Sequence, residues 1–450
     1  MIKNICCIGA GYVGGPTMAV IAENCPDIKV TLVDSNPDKI AAWNGPVDKL
    51  PVYEPGLKEI IERIRGKNLF FSNDIDKHID GSEMIFIAVN TPTKTEGEGA
   101  GMAADLKYIV ACAKQIAKSS NSDKIVIEKS TLPVRTAEKV KEILDREGKT
   151  GVNFEILSNP EFLAEGTAIS DLYKSDRVLI GGNDTDIGQN AIKKLVNIYK
   201  RWIPKSKILT TNIWSSELSK LASNAMLAQR ISSINSLSAL SKATGAEILE
   251  VSQAIGMDKR IGSQFLNPSP GFGGSCFKKD ILNLVYISKH YGLNEVAEYW
   301  LQVLKINDFQ RDRVVQAIDS YTTKENLIKK ISIMGWAFKK ETNDSRESPS
   351  IDITFKLILK GYKVEIFDPK VPKKIIVSDL EDYFKLNSSS FLNYRDSVII
   401  HSSYESILKS KNPYAILTEW DVFRQLESQE NAKILDFRNI INKEKTVFRL

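Results

Sequence analysis

The chain has 450 residues, enough for two or three domains with separate cores. Its 61 basic and 56 acidic residues leave a charge of +5, too mild and scattered to suggest nucleic acid but compatible with an anionic small molecule. No stretch approaches a membrane span, and the opening Met1-Ile-Lys-Asn-Ile-Cys-Cys runs into an apolar strand rather than a signal peptide. The five cysteines, Cys6, Cys7, Cys25, Cys112 and Cys276, lack framework spacing, which predicts a reducing cytoplasm. Asn183-Asp-Thr and Asn387-Ser-Ser are then chance glycosylation matches. His78, His290 and His401 are far apart in unrelated contexts, so no metal site is expected.

Asn4 to Ile8 reads as a buried strand, followed by Gly9-x-Gly11-x-x-Gly14, a helix, and a second strand at Lys29-Val-Thr-Leu-Val ending in Asp34. The glycines allow a tight turn, close approach of a pyrophosphate, and tight packing of helix on strand. Asp34 follows Gly14 by twenty residues. There it accepts from both ribose hydroxyls and repels a 2′-phosphate, which favours NAD over NADP. Further strands are predicted at Met84–Asn90, Lys124–Glu128, Phe154–Leu157 and Arg177–Ile180. In such sheets ligands bind beyond the carboxyl ends of the strands. Those ends carry Asn90-Thr-Pro-Thr93, Lys129-Ser-Thr-Leu-Pro133 and Ser158-Asn-Pro-Glu-Phe-Leu-Ala-Glu165. Pro133 suits the first turn of a helix, and Glu161 and Glu165 are spaced like one helical turn. Either glutamate is equally read as a plain surface carboxylate.

Residues from about Trp214 to Thr244 read as a long amphipathic helix, with Lys220 and Asn224 on one face. Dehydrogenases of the β-hydroxyacid type use the same spacing to address a substrate oxygen; a solvated lysine is the plainer alternative. The helices near Ala222–Leu240 and Glu295–Ile318 carry more apolar surface than connectors need, which predicts a dimer seam.

Gly271-Phe-Gly-Gly-Ser-Cys-Phe-Lys-Lys-Asp280 brings a lone thiol to a helix start, with a carboxylate one turn later. Helix N-termini favour negative charge, so a cysteine there suits a thiolate nucleophile. Taken alone, Cys276 is also read as a small buried apolar residue. From Lys330 a degraded copy of the first unit begins: a strand, Gly335, a helix, and a strand ending in Asp368. With one glycine of three retained, a second nucleotide-like ligand fits better than a second dinucleotide. The polar tract between Lys370 and Asp396 reads as irregular.

Gly-Ala-Gly-Tyr-Val-Gly-Gly-Pro, Ser-Asn-Pro-Glu-Phe-Leu-Ala-Glu-Gly, Trp-Ser-Ser-Glu-Leu-Ser-Lys-Leu-Ala, Gly-Phe-Gly-Gly-Ser-Cys-Phe and Phe-Lys-Lys-Glu-Thr together cover nearly the whole chain. With them the chain resembles the UDP-glucose/GDP-mannose dehydrogenase family, especially its animal-type UDP-glucose-oxidising members. The resemblance implies an α/β fold of two Rossmann-like doubly wound domains joined by a long central helix and a helical dimerisation region. The expected divisions are 1–212 for NAD, 213–325 for the helical region with the cysteine loop, and 326–450 for the UDP-sugar. It implies oxidation of UDP-glucose to UDP-glucuronate with two NAD, through a thiohemiacetal and a thioester on Cys276. Lys220 and Asn224 are expected to serve the oxyanion and the first deprotonation. Asp280 is expected to hold the hydrolytic water and pair with Lys220, with Glu161 and Thr131 assisting hydrolysis.

The same resemblance assigns NAD to Gly9, Ala10, Gly11, Tyr12, Val13, Gly14, Asp34, Lys39, Val89, Asn90, Thr91, Pro92, Thr93, Ser130, Glu165 and Arg346. It assigns the UDP-sugar to Glu161, Phe162, Leu163, Lys220, Asn224, Arg260, Phe265, Asn267, Phe272, Gly273, Phe338, Lys339 and Arg438. Arg260 resembles an arginine that reaches a neighbouring subunit's substrate, implying a dimer or a hexamer built from dimers. Asn267 and Pro268 stand where animal-type members usually carry lysine and alanine, and the chain stops shortly after Arg438 without their polar tail. Sibling activities on UDP-N-acetylmannosamine or GDP-mannose, a two-electron β-hydroxyacid dehydrogenase and a non-enzymatic NAD-binding protein remain as alternatives.

Overall fold

A computed structural model describes residues 2–387 and 394–450, which form two compact units. One comprises Met1–Ser223 with Leu282–His290, the other Asn224–Ile281 with Tyr291–Leu450. The Asn387 sequon continues into Ser388 and Ser389, which lie outside the described residues.

The first unit alternates strand and helix: β1 (Asn4–Ile8), α1 (Gly14–Asn24), β2 (Lys29–Val33), α2 (Pro37–Asn44), α3 (Leu57–Ile64), β3 (Leu69–Ser72), α4 (Ile75–Asp80) and β4 (Met84–Ile87). It continues with α5 (Lys107–Ser119), β5 (Lys124–Glu128), α6 (Thr136–Glu147), β6 (Phe154–Ser158), α7 (Ala168–Tyr173), β7 (Val178–Gly182), α8 (Asp186–Tyr199) and β8 (Ile208–Asn212). The strands lie in the order β3-β2-β1-β4-β5-β6-β7-β8, parallel except between β6 and β7. The order reverses between β1 and β4, which opens a crevice at their carboxyl ends. Both faces are covered: Ile5 and Cys7 point into one core, Cys6 and Ile8 into the other. The paired cysteines are therefore packing residues of opposite layers.

The 32-residue α9 (Ile213–Thr244) leaves the first unit and continues into the second. There follow α10 (Ile248–Gly256), α11 (Phe277–His290) and α12 (Asn294–Lys324). The second sheet uses β9 (Lys330–Met334), α13 (Pro349–Leu359), β10 (Lys363–Phe367), α14 (Lys373–Asn387), β11 (Val398–Ile400), α15 (Tyr404–Leu408), β12 (Tyr414–Ile416), β13 (Ile434–Asp436) and β14 (Phe448–Arg449). Its all-parallel order is β11-β10-β9-β12-β13-β14.

Three local expectations are corrected. The tract read as irregular contains α14, because Ile376, Leu380 and Phe384 recur at helical spacing and are buried among more numerous polar residues. Pro133 precedes α6 by three residues instead of opening it, since a turn at Val134 and Arg135 intervenes. Glu161 and Glu165 share no helical face, because the chain from Glu161 to Ala164 is irregular and α7 starts only at Ala168.

The glycine turn of the first unit permits no side chains at its contact points. Gly9 has φ +109°, and a Cβ there would lie 2.4 Å from the Ala88 carbonyl oxygen. A Cβ on Gly14 would lie 2.0 Å from the Gly9 oxygen. Gly14→Ala is expected to destabilise the protein by about 1–3 kcal/mol. Calorimetry should register this as a Tm loss of roughly 2–4 °C per kcal/mol.

Candidate active site

At the crevice of the first sheet, Asp34 Oδ2 accepts from the backbone N–H of Ala10 at 3.0 Å and from Lys39 Nζ at 2.8 Å. Its Oδ1 accepts from the Asn36 N–H at 3.0 Å. Burial opposes its ionisation, but Lys39 and the Asn36 and Ala10 amides outweigh it and hold the carboxyl below the ordinary range. Trp43 supports the turn by donating its indole N–H to the Ala10 carbonyl at 3.0 Å. A Cβ on Gly11 would meet nothing within 4 Å, so the flank facing a pyrophosphate is open. Tyr12 and Val13 lead into α1, whose first turn carries no acidic residue. A dinucleotide fits this arrangement: amides and a helix N-terminus for the pyrophosphate, an ionised carboxylate for the ribose.

Across the crevice, Val89, Asn90, Thr91, Pro92 and Thr93 follow β4. Ser130 donates to the Val89 carbonyl at 2.7 Å, and Thr91 donates to the Thr131 carbonyl at 3.0 Å. The structure thus ties the predicted β4 and β5 loops to each other. Glu161 is buried: one oxygen is 3.2 Å from Lys220 Nζ and the other accepts the Leu163 N–H at 2.8 Å. Phe162 lies beneath two cations, Arg177 at 3.8 Å and Lys220 at 5.5 Å from its ring centre. Lys220 is 4% exposed, so the solvated-lysine alternative is excluded. Glu165 stands partly exposed in the irregular segment after Leu163.

Two groups beside this cluster were missed. Lys129 is buried and donates to Asn159 Oδ1 at 3.2 Å. Burial pushes it down to about 8, with Glu161 opposing and Lys220 adding to the shift. Its position just after the apolar run Ile125-Val-Ile127 and Glu128 was the available signal. The second group is the carboxyl pair Glu128 and Glu217. Glu128 is fully buried and raised well above the ordinary range by burial and then by the Glu217 charge. Burial likewise raises Glu217, against the opposing N–H groups of Ala137 and Arg135.

In the second unit the cysteine loop is anchored by α12. Asn307 Oδ1 accepts the Phe272 N–H at 2.8 Å, and its amide donates to the Phe272 carbonyl at 3.2 Å. Gly271, at φ +126°, passes so close that a Cβ would sit 2.6 Å from Asn307 Oδ1. Gly273 packs against Glu347 and Phe338, while Gly274 donates to the Arg346 carbonyl at 2.8 Å. Phe272, Gly273, Phe338 and Arg346 are therefore neighbours, and Arg346 is held by both oxygens of Asp344. Cys276 immediately precedes α11, and its carbonyl accepts the Asp280 N–H at 2.9 Å. Asp280, 1% exposed, accepts from the Asn224 amide at 2.6 Å. Cys276 alone of the five cysteines is not fully buried, which removes the alternative of a core residue.

Elsewhere in this unit, Lys339 lies 5.7 Å from the Phe338 ring centre and Arg438 pairs with Glu419. Phe265 and Asn267 are exposed, and Arg260 is almost wholly so, pairing with Asp258 two residues away. Asp368 repeats the position of Asp34 but is saturated. Its Oδ2 takes the N–H groups of Trp336 and Ala337 and the Trp420 indole; its Oδ1 takes Lys370 and Val371. Among the described residues no His, Cys, Asp and Glu cluster has metal-binding geometry.

Three family models cover the chain: the UDP-glucose/GDP-mannose dehydrogenase NAD binding domain over residues 3–203, the central domain over 214–309, and the UDP binding domain over 332–443. The chain belongs to the UDP-glucose/GDP-mannose dehydrogenase family. Within this family, a UDP-glucose 6-dehydrogenase of Mus musculus is 56% identical over 441 residues, covering 96% of this chain and 87% of that protein. UDP-glucose 6-dehydrogenase 1 of Oryza sativa subsp. japonica is 52% identical over 459 residues, covering 99% and 95%. Among solved structures, a UDP-glucose dehydrogenase from Pyrobaculum islandicum superposes with TM-score 0.84 at 28% identity, covering 100% of this chain and 97% of that one.

Burial pushes Cys6 and Cys112 up to about 12, Cys25 to about 11, and Cys7 well above its ordinary value. Those four remain thiols at neutral pH. Brief alkylation of the native protein is expected to modify Cys276 first, as peptide mass spectrometry would reveal; preferential labelling of any other cysteine contradicts the assignment. The Glu128 pair yields a pH expectation. An unfolded glutamate ionises near pH 4.3 or so, whereas folding holds Glu128 neutral to much higher pH, so the fold loses stability as pH rises between those points. The Tm of Glu128→Gln relative to wild type should therefore rise from acidic to mildly alkaline pH, by on the order of 3 °C. A difference independent of pH would refute the buried neutral acid.

Proposed function

We propose that this chain oxidises the C6 alcohol of UDP-glucose to the carboxylate of UDP-glucuronate, with two NAD and a covalent intermediate on Cys276. The observation that carries the covalent route is Cys276 itself, the least buried cysteine, at the start of α11 and one turn before the buried Asp280. The family relationship and the two UDP-glucose 6-dehydrogenases more than half identical to this chain support the substrate. The open flank of Gly11 and the ionised Asp34 support NAD.

When bound, NAD accepts a hydride from C6 in each oxidation. Lys220, with Asn224 one turn later on α9, stabilises the oxyanion formed as the C6 hydroxyl proton passes through water to solvent. The Cys276 thiolate then forms a bond to the aldehyde carbon while the carbonyl oxygen takes a proton from water, giving a thiohemiacetal. Loss of its hydroxyl proton and a second hydride leaves a thioester. Water, deprotonated by Asp280 with Glu161 and Thr131 assisting, adds to that carbon; the carbon–sulfur bond breaks and the thiolate is restored. Removing an oxyanion donor typically costs about 10²–10³ in kcat. Phe162, Leu163, Phe265, Phe272, Gly273, Phe338, Lys339 and Arg438 are proposed to hold the UDP-sugar, with Asn267 replacing a usual lysine. Glu165, Ser130 and Arg346 are proposed to complete the NAD contacts.

Self-association is part of this reading. In the second unit Met226, Leu237 and Leu240 of α9 and Val296, Tyr299 and Phe309 of α12 are exposed apolar residues on the two helices read as a dimer seam. A dimer, and a hexamer of dimers in which Arg260 reaches a neighbour, accounts for this exposure. No described helix is long and apolar enough to cross a membrane. A cytoplasmic location agrees with the five free cysteines.

The deciding measurement is NADH yield on limiting UDP-glucose. Two NADH per sugar are expected, with glucuronate as product; a reproducible ratio of one rejects the four-electron reaction. Cys276→Ser should stop at a bound aldehyde-level species, and normal glucuronate output from it rejects the covalent route. A panel including UDP-N-acetylmannosamine and GDP-mannose separates the sibling activities.

A further inference from the structure

The Ser130–Thr131 turn is bracketed by carboxyl groups that the proposed reaction does not use. Glu128, at the end of β5, lies two residues before it. Beyond it, the N–H groups of Arg135 and Ala137 donate to Glu217 at 2.7 and 2.9 Å, one to each oxygen. Glu217 is buried on α9, one helical turn before Lys220, and also faces Glu128. Both ends of the segment that carries Ser130 and Thr131 thus meet one carboxylate from the helix that carries Lys220.

The segment requires outside restraint. Arg135 is a non-glycine residue at φ +74°, a left-handed conformation that survives only where surrounding contacts hold it. Helix α6 has Arg135 at its N-cap, with no capping side chain of its own. Four N–H groups at a helix start lack partners within the helix, and negative charge there is favourable. A serine or aspartate at position 135 would cap the helix locally. Here the cap instead comes from a distant helix as a buried carboxylate, with the desolvation that entails.

We propose that Glu217 is a positioning residue: by holding the Arg135 and Ala137 amides from a point one turn before Lys220, it fixes the Ser130–Thr131 turn relative to the lysine. The inference rests on the roles given above to Thr131 and Lys220. Displacing the turn misplaces Thr131 while leaving the groups that bind UDP-glucose in the second unit intact. The expected signature is a loss in kcat rather than in KM.

The test compares wild type, Glu217→Gln and Glu217→Asp, with Glu138→Gln as control because it breaks only the exposed Arg135–Glu138 ion pair near the same turn. Glutamine at 217 retains one acceptor and turns an amide group toward the other N–H; aspartate falls a methylene short. Both variants should lose about 10-fold or more in kcat, since small misplacements near reacting groups have large effects. Their KM for UDP-glucose should stay within about threefold, because ground-state binding is untouched. Hydrogen exchange at the Arg135 and Ala137 amides should quicken, and Glu138→Gln should behave as wild type. If Glu217→Gln does not fold, the same criterion is read on Glu217→Asp. A lower Tm with unchanged kcat would make Glu217 a helix cap and overturn the inference. A wild type that forms no NADH removes the functional reading itself, whereas an active wild type alongside fully active variants removes this inference alone.

Discussion

Each sheet closes its first crossover with a carboxylate at the end of the second strand, tied to the glycine turn after the first. In the N-terminal unit Asp34 accepts from Ala10; in the other, Asp368 accepts from Trp336 and Ala337. Such turns leave amides pointing outward at the carboxyl ends of strands, and a buried carboxylate satisfies them. The two copies differ in remaining capacity. A carboxylate offers roughly four acceptor positions. Asp34 receives three donors, one of them a flexible lysine, and Asp368 receives five, including an indole. One carboxylate thus keeps acceptor capacity for a ligand, whereas the other is filled by the protein's own donors.

The charges buried along the first half of α9 make little sense as stability elements. An isolated buried pair such as Glu161 with Lys220 seldom outperforms well-packed apolar residues, because desolvation offsets the attraction. Losing one partner, however, costs about 3–5 kcal/mol, so such pairs are fragile as well as unprofitable. Lys129 and Glu161 stand just beyond the carboxyl ends of β5 and β6, the side on which such sheets bind ligands. Burial lowers the Lys129 ammonium, with Glu161 opposing that shift and Lys220 adding to it.

The cysteine loop reaches an ordered geometry by another route. Its glycines remove side chains where the backbone passes Asn307, Phe338 and Glu347, and buried Asn307 supplies the hydrogen bonds that a regular element would. The thiol is thus delivered at the start of α11 by close contacts rather than by secondary structure. Its four sister cysteines are sealed in apolar layers, where burial keeps them protonated. Accessibility is therefore divided among identical residues by environment alone.

Much of this was legible in the order of residues. Apolar runs ending in glycine, asparagine or acid marked β1, β2, β4, β5, β9 and β10, and the four-residue interval from Cys276 to Asp280 was readable before any fold was known. These features are local: strand alternation, turn geometry and helical spacing depend on neighbours in the chain. The tertiary structure decided which charges meet. No spacing pairs Glu161 with Lys220, brings Glu217 to the amides of α6, or saturates Asp368 with Trp420, because these partners come from separate elements. It also decided that Pro133 stands ahead of α6 and that a mostly polar tract forms α14, since packing overrides weak local preference. Sequence determined the elements and the candidate residues; burial and long-range contact, which exist only once the chain is folded, determined their partners.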